Sequence, residues 1–184
     1  MIEVICGPMF CGKSEELIRR VRRATIARQT VQVFKPRIDN RYALHEVTSH
    51  NKASFAALSV ADAHEVLECV KGKNTQVVAI DEAQFLGDYL PNCCEILANE
   101  GKRVIVAGLD MDFKAIPFGN MAQLMAQAEE VTKLSAICVV CGEPATRTHR
   151  LGESVERVVV GGAEQYEARC RKCHQTTKEQ HNEG

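Results

Sequence analysis

The stretch Ile2-Glu-Val-Ile-Cys6-Gly7-Pro-Met-Phe-Cys-Gly12-Lys13-Ser14 decides the fold. Its apolar start reads as a buried strand, and the residues after Ser14 carry a helical pattern, so Gly7 to Ser14, which fit G-x-x-x-x-G-K-[ST], stand between a strand and a helix. Phosphate binding needs that placement. Glycines let the backbone curl until several N–H groups face one anion, and the positive end of the following helix adds to the field. Gly7, Pro8, Met9, Phe10, Cys11 and Gly12 form the cradle, Lys13 reaches the β- and γ-phosphates, and the Ser14 hydroxyl ligates Mg²⁺.

Outward along the chain, Val77-Val-Ala-Ile80-Asp81-Glu82 is a second buried-type strand ending in two carboxylates. In a parallel sheet that end lies at the edge where the phosphate loop opens, which assigns Asp81 to Mg²⁺. Spacing leaves Glu82 open between holding a water on the metal, activating water, and taking a proton from a substrate hydroxyl.

The first 130 residues or so alternate β-branched runs with helical stretches, the pattern of a parallel α/β sheet covered by helices. Strands are expected at Ile2 to Cys6, Val31 to Phe34, Gln76 to Ile80 and Arg103 to Ala107, and helices at about Ser14 to Arg28, Asp88 to Asn99 and Met121 to Glu130. In the first helix Leu17, Ile18, Val21, Thr25 and Ile26 face inward and Arg19, Arg20, Arg22 and Arg23 are mostly solvated. From Cys138 to His174 the texture changes to metal ligands and the strand-like Val158-Val159-Val160. The expected organisation is a nucleotide-binding α/β domain over 1–137, a small zinc-binding domain over 138–174 and a polar tail over 175–184.

The 184 residues are 45 % hydrophobic and 26 % charged, with 23 Lys plus Arg against 24 Asp plus Glu. A net charge of −1 supplies no general attraction to nucleic acid or anionic lipid, so anion binding is local. Apolar runs fall far short of a membrane span, and the N-terminus does not read as a secretion signal, so a cytoplasmic protein is expected.

Nine cysteines is an odd number. Cys6, Cys11, Cys69, Cys93 and Cys94 are scattered and read as small buried hydrophobes, which argues against a disulfide scaffold. Cys138-Val-Val-Cys141 and Cys170-Arg-Lys-Cys173 are two knuckles able to supply four thiolates to one tetrahedral Zn²⁺. Four thiolates close the shell, so the metal is structural, although His149 and His174 stand near enough in sequence to replace one ligand. A motor or assembly NTPase, a small-molecule kinase and a nucleotide-sensing module all fit these motifs. Length weighs against the first. A nucleic-acid-stimulated ATPase with a zinc ribbon stays open, although that region carries no Lys/Arg stripe interleaved with aromatics.

Taken in order, the motifs resemble the type II thymidine kinases, whose core is a RecA-like P-loop domain. The carriers are Gly7 to Ser14, Lys35-Pro-Arg-Ile-Asp39-Asn-Arg41-Tyr42, Ser49-His50, Asp81-Glu-Ala-Gln-Phe85, Gly108-Leu-Asp-Met-Asp-Phe113, Pro117-Phe-Gly119, both knuckles, and between them Thr148, Arg150-Leu-Gly152, Val158-Val-Val-Gly-Gly-Ala163 and Tyr166. The resemblance implies transfer of the γ-phosphoryl of ATP to the 5′-hydroxyl of thymidine, giving dTMP in nucleotide salvage for DNA synthesis. It implies that Glu82 is the general base, that Arg41 lies near the reacting phosphate, that Asp39 is tied to the metal, and that Ala83 and Gln84 belong with Asp81 to the ATP and Mg²⁺ site. The loop from Arg37 to about Ala53 is then a lid. Met9, Phe85, Leu109, Phe113 and Tyr166 form a nucleoside pocket, with Thr148 near the base and the backbone of Arg157, Val158, Val159, Val160 and Gly161 closing over it as a lasso anchored by zinc. Without the resemblance, Phe85, Leu109 and Phe113 read as core. Homotetramers and dTTP feedback are implied in the same way; no nucleic-acid or membrane partner is. Two residues depart from the pattern: Cys11, where Ser or Ala is commoner, puts a thiol near phosphate, and Arg157 stands where an apolar residue is common.

Overall fold

The computed structural model describes residues 1–37, 46–48, 54–152 and 163–174. Among them a six-stranded sheet is built from β1 (Ile2–Cys6), β2 (Val31–Pro36), β5 (Leu58–Val60), β6 (Val77–Ile80), β7 (Arg103–Gly108) and β8 (Glu130–Lys133), with β3 (Glu46–Thr48) and β4 (Ser54–Ala56) paired as a separate hairpin. The order across the sheet is β5-β2-β6-β7-β1-β8, and every pairing is parallel. Parallel strands need both faces covered. Helix α1 (Lys13–Ile26) covers one face; α2 (Ala63–Val70), α3 (Leu90–Asn99) and α4 (Met121–Gln127) cover the other.

Alternation along the strands divides the core in two. Val4, Phe34, Val78, Ile80, Val104 and Val106 pack against Val66, Leu90, Leu97, Met121 and Leu124, while Ile5, Val33, Ala79, Ile105 and Ala107 pack against Leu17, Ile18, Val21 and Ala24 of α1. β7 lies between β1 and β6, so one strand separates the strand that runs into the Gly7–Ser14 loop from the strand that ends at Asp81.

Three local readings change. The helix expected over Met121 to Glu130 ends at Gln127, because Ala128 turns extended and the Glu129 carboxylate accepts the Ile2 N–H at 2.5 Å, which seats Glu130–Lys133 as a strand beside β1. Parallel pairing at an open sheet edge overrides helix propensity there. Arg20 is buried, not solvated: it donates to Glu3 at 2.6 Å, Glu16 at 2.8 Å and Thr132 at 2.8 Å, and Arg103 holds the other side of Glu3 at 2.5 Å. Burial raises the Glu3 carboxyl, but those two guanidinium groups outweigh it and hold it below the usual range. Ile26, by contrast, is 82 % exposed.

Among the described residues the C-terminal part holds two antiparallel pairs, β9 (Ala136–Ile137) with β10 (Pro144–Ala145) and β11 (Arg147–Arg150) with β12 (Tyr166–Arg169). Among the described residues its buried apolar cluster is Ala136, Cys138, Ala145 and Ala168, with Phe10, Cys11, Cys170 and Cys173 packed against it. The expected strand at 158–160 and the tail lie outside the described residues. No described helix is long and apolar enough to cross a membrane.

Candidate active site

β1 ends directly in the phosphate loop. Gly7 (φ 145°), Phe10 (φ 65°) and Gly12 (φ 85°) all turn left-handed within six residues, the alternation from which a concave run of N–H groups is made. Gly7 is required for a second reason: a Cβ there would stand 2.4 Å from Leu134 O. Gly12 caps α1 without a side-chain hydrogen bond, so the positive end of a 14-residue helix faces the loop. Lys13 is buried and donates to Pro8 O at 2.7 Å, which holds its ammonium over the loop's own backbone.

Across the sheet, β6 delivers Asp81 to the same edge, where the Ser14 hydroxyl donates to Asp81 Oδ2 at 2.9 Å. Burial first, and then the neighbouring Glu82 charge, push the Asp81 carboxyl up to about 7, against the hydrogen bonds from Ser14 and from Glu82 N. A hydroxyl and a buried carboxylate at this spacing fit a hard divalent cation with oxygen ligands. Glu82 itself sits left-handed at φ 50° and ψ 40°, a strained setting for a residue with a side chain, as the chain enters the single 3-10 turn Ala83–Phe85. Gln84 Nε2 donates to Glu82 Oε2 at 2.6 Å, and its Oε1 accepts the Leu109 N–H at 3.0 Å.

Among the described residues, Thr148, Arg150 and His174 join the C-terminal part to this edge. Thr148 Oγ1 accepts the Met9 N–H at 3.0 Å. The Arg150 guanidinium lies 3.8 Å over the Phe113 ring and donates to the Tyr166 hydroxyl at 2.8 Å. His174 Nε2 and Phe113 O are 3.0 Å apart, which requires the tautomer with its proton on Nε2. Beyond them the Sγ atoms of Cys138, Cys141, Cys170 and Cys173 all lie within 4.8 Å of one another, and Cys141 and Cys170 are 3.7 Å apart. Four thiolates around zinc at the usual bond length stand about 3.8 Å apart, so the cluster fits a tetrahedral metal. His174 is thereby assigned to Phe113 and not to the metal.

The thymidine kinase family model matches residues 1–174. The chain belongs to the thymidine kinase family. A thymidine kinase from Rhodothermus sp. (strain ITI 518) is 54 % identical over 174 residues, covering 95 % of this chain and 81 % of that protein. Domain III of the Thermotoga maritima replication initiation protein DnaA aligns over 73 % of this chain and 55 % of its own at TM-score 0.44 and 15 % identity, a likeness too remote to bear on fold or function.

Within this family member the residues expected at the site fall into four groups. Lys13, Ser14, Asp81 and Glu82 converge on the C-terminal edge of the sheet. Ala83 is buried beneath them, and Gln84 is turned inward onto Glu82. Of the nucleoside set, Phe113 and Tyr166 share Arg150, Met9 meets Thr148, Leu109 meets Gln84, and Phe85 packs edge-on to Phe118 at 5.5 Å. Asp39, Arg41, Ser49, His50 and the lasso from Arg157 to Gly161 lie outside the described residues. Cys11 is half-buried, and burial raises its thiol pKa against the pull of the neighbouring Lys13.

Sequence reasoning missed the role of Arg150. A buried cation between two aromatic side chains becomes visible only when β11 and β12 pair and set Arg150 opposite Tyr166. It also missed α2, although Asp62 three residues before Glu65 was the signal; Asp62 accepts the N–H groups of His64 and Glu65.

Proposed function

We propose that this protein is an ATP- and Mg²⁺-dependent thymidine kinase that forms dTMP. One observation carries the reading: in a member of this family, the phosphate-loop Ser14 hydroxyl touches Asp81, and the next carboxylate in the chain, Glu82, is held beside them. Ser14 and Asp81 would hold Mg²⁺, which supplies charge neutralisation on the β- and γ-phosphates. Gly7 to Gly12 cradle the phosphates, and Lys13 leaves Pro8 O to meet them. Glu82 accepts the proton of the 5′-hydroxyl as that oxygen bonds to the γ-phosphorus; the bond to the bridging oxygen breaks and ADP departs. Arg41 and Asp39 complete the phosphate and metal contacts.

Met9, Phe85, Leu109, Phe113 and Tyr166 enclose the pyrimidine, Thr148 stands at its methyl side, and the Arg157 to Gly161 backbone pairs with its polar edge. The four cysteines would hold Zn²⁺, which would staple this wall, and the small size of the buried cluster there supports a division into an α/β domain over 1–137 and a zinc-stapled one over 138–174. A cytoplasmic location, homotetrameric assembly, dTTP feedback at the nucleoside site and a role in salvage for DNA synthesis rest on family membership.

The test is incubation with γ-labelled ATP, Mg²⁺ and a panel of nucleosides. Label on thymidine is the expected result. Label released only as phosphate, and only with DNA or RNA present, would replace this reading with a nucleic-acid-stimulated ATPase.

A further inference from the structure

Gln84 is 7 % exposed, and both ends of its amide are committed within the protein. Oε1 accepts the Leu109 N–H at 3.0 Å. A backbone N–H can only donate, so the amide has one orientation, and its NH₂ group faces Glu82, donating to Oε2 at 2.6 Å. The surroundings enforce this arrangement. A Cβ on Gly108 would stand 2.8 Å from Gln84 Oε1, and one on Gly119 would stand 2.8 Å from the Gln84 carbonyl oxygen. Two side-chain-free positions thus leave the space in which the amide lies. Glu82 has no comparable freedom in its backbone, which is left-handed and closed by Phe85 N donating to its carbonyl at 3.1 Å.

We propose that Gln84 is a positioning residue: it holds the Glu82 carboxylate in its working rotamer and ties it to the backbone at the end of β7, so that the base is set by the same strand end that presents Leu109 to the nucleoside. Gln84 then touches neither substrate. It acts through Glu82, and the inference rests on the reading of Glu82 as the general base. A freely rotating carboxylate next to Asp81 would be free to turn toward the cation site; the Gln84 donor on Oε2 holds it in one rotamer.

Four variants decide the matter: Gln84→Glu, Gln84→Met, Glu82→Gln, and the swap Glu82→Gln with Gln84→Glu. Gln84→Glu keeps the shape and the acceptor for Leu109 N–H but replaces the donor facing Glu82 with a carboxylate. Its turnover is expected to fall at least tenfold, with KM for ATP within about twofold of the wild type, and Gln84→Met should behave alike. In the Glu82→Gln background, adding Gln84→Glu should cost less than threefold more in turnover. The swap should also regain the thermal stability that Gln84→Glu alone loses, since the hydrogen bond re-forms with donor and acceptor exchanged. Full turnover in Gln84→Glu, while Glu82→Gln is crippled, would overturn the positioning role. So would a swap no more stable than Gln84→Glu, or fully additive turnover losses. Unimpaired turnover in Glu82→Gln would instead remove the reading of Glu82 as base, and the stability arm would still report whether the hydrogen bond exists.

Discussion

Removing the metal from the cysteine cluster should separate the two substrates. Cys170→Ser takes away one of the four proposed zinc ligands, and among the described residues the buried cluster beneath it is Ala136, Cys138, Ala145 and Ala168 with Phe10 packed against it, a small core to hold without a metal. The C-terminal part touches the Gly7–Ser14 loop through the Thr148 Oγ1 hydrogen bond from Met9 N and through Phe10 and Cys11, which pack against its alanine cluster. The hydrogen bond contributes about 1 kcal/mol, so its loss should raise KM for ATP about fivefold. The proposed nucleoside wall loses more: the Arg150 stack on Phe113, the Arg150 to Tyr166 bond and the His174 bond to Phe113 O. Together these are worth about 3 kcal/mol, so KM for thymidine should rise about a hundredfold. Steady-state kinetics with each substrate varied in turn, alongside metal content per chain, reads both numbers. Loss of the metal with equal-fold changes in both KM values would mean that the cluster supports the whole fold. Loss with unchanged KM for thymidine would remove the wall from the nucleoside site.

Glu82→Gln should bind ATP within about twofold of the wild type yet turn over about a hundredfold more slowly, checked by equilibrium nucleotide binding and by kcat. Cys11→Ala should leave kcat and KM for ATP nearly unchanged, since the proposed phosphate cradle is made of backbone N–H groups and burial raises the Cys11 thiol pKa; a tenfold loss would give the sulfur a role. Acid stability follows from Glu16 and Glu3. The Arg19 hydrogen bond, helped by Arg20 and opposed by burial, lowers Glu16 to about 2. Because the folded value lies below the unfolded one, this stabilisation is full above the ordinary carboxylate range near 4.5 and is lost as pH falls from there toward 2. Allowing for an Arg19 side chain that is 58 % exposed, it amounts to about 1–2 kcal/mol, and between pH 5 and 2 Glu16→Gln should lose less stability than the wild type by that amount, seen as a shallower fall of Tm with pH. Parallel wild-type and variant curves in circular-dichroism melts would contradict this.

The strand-loop-helix at Ile2–Ser14 and the strand ending in Asp81 were legible because each is local: backbone curvature at Gly7 and Gly12 and the burial of Val77–Ile80 are written within a few residues. The knuckles were legible for the same reason, since ligand spacing of two residues is a covalent fact. Four features depended on strand order and packing. The insertion of β7 between β1 and β6 brings Ser14 to Asp81. The seating of Glu130–Lys133 against β1 ends α4 early and buries Arg20. The pairing of β11 with β12 puts Arg150 between Phe113 and Tyr166, and the room left by Gly108 and Gly119 turns Gln84 onto Glu82. Residues close in the chain are restricted by their own torsions and capping, so their chemistry can be read in one dimension. Contacts across tens of residues are chosen by which faces must be buried together, and only the assembled sheet makes that choice.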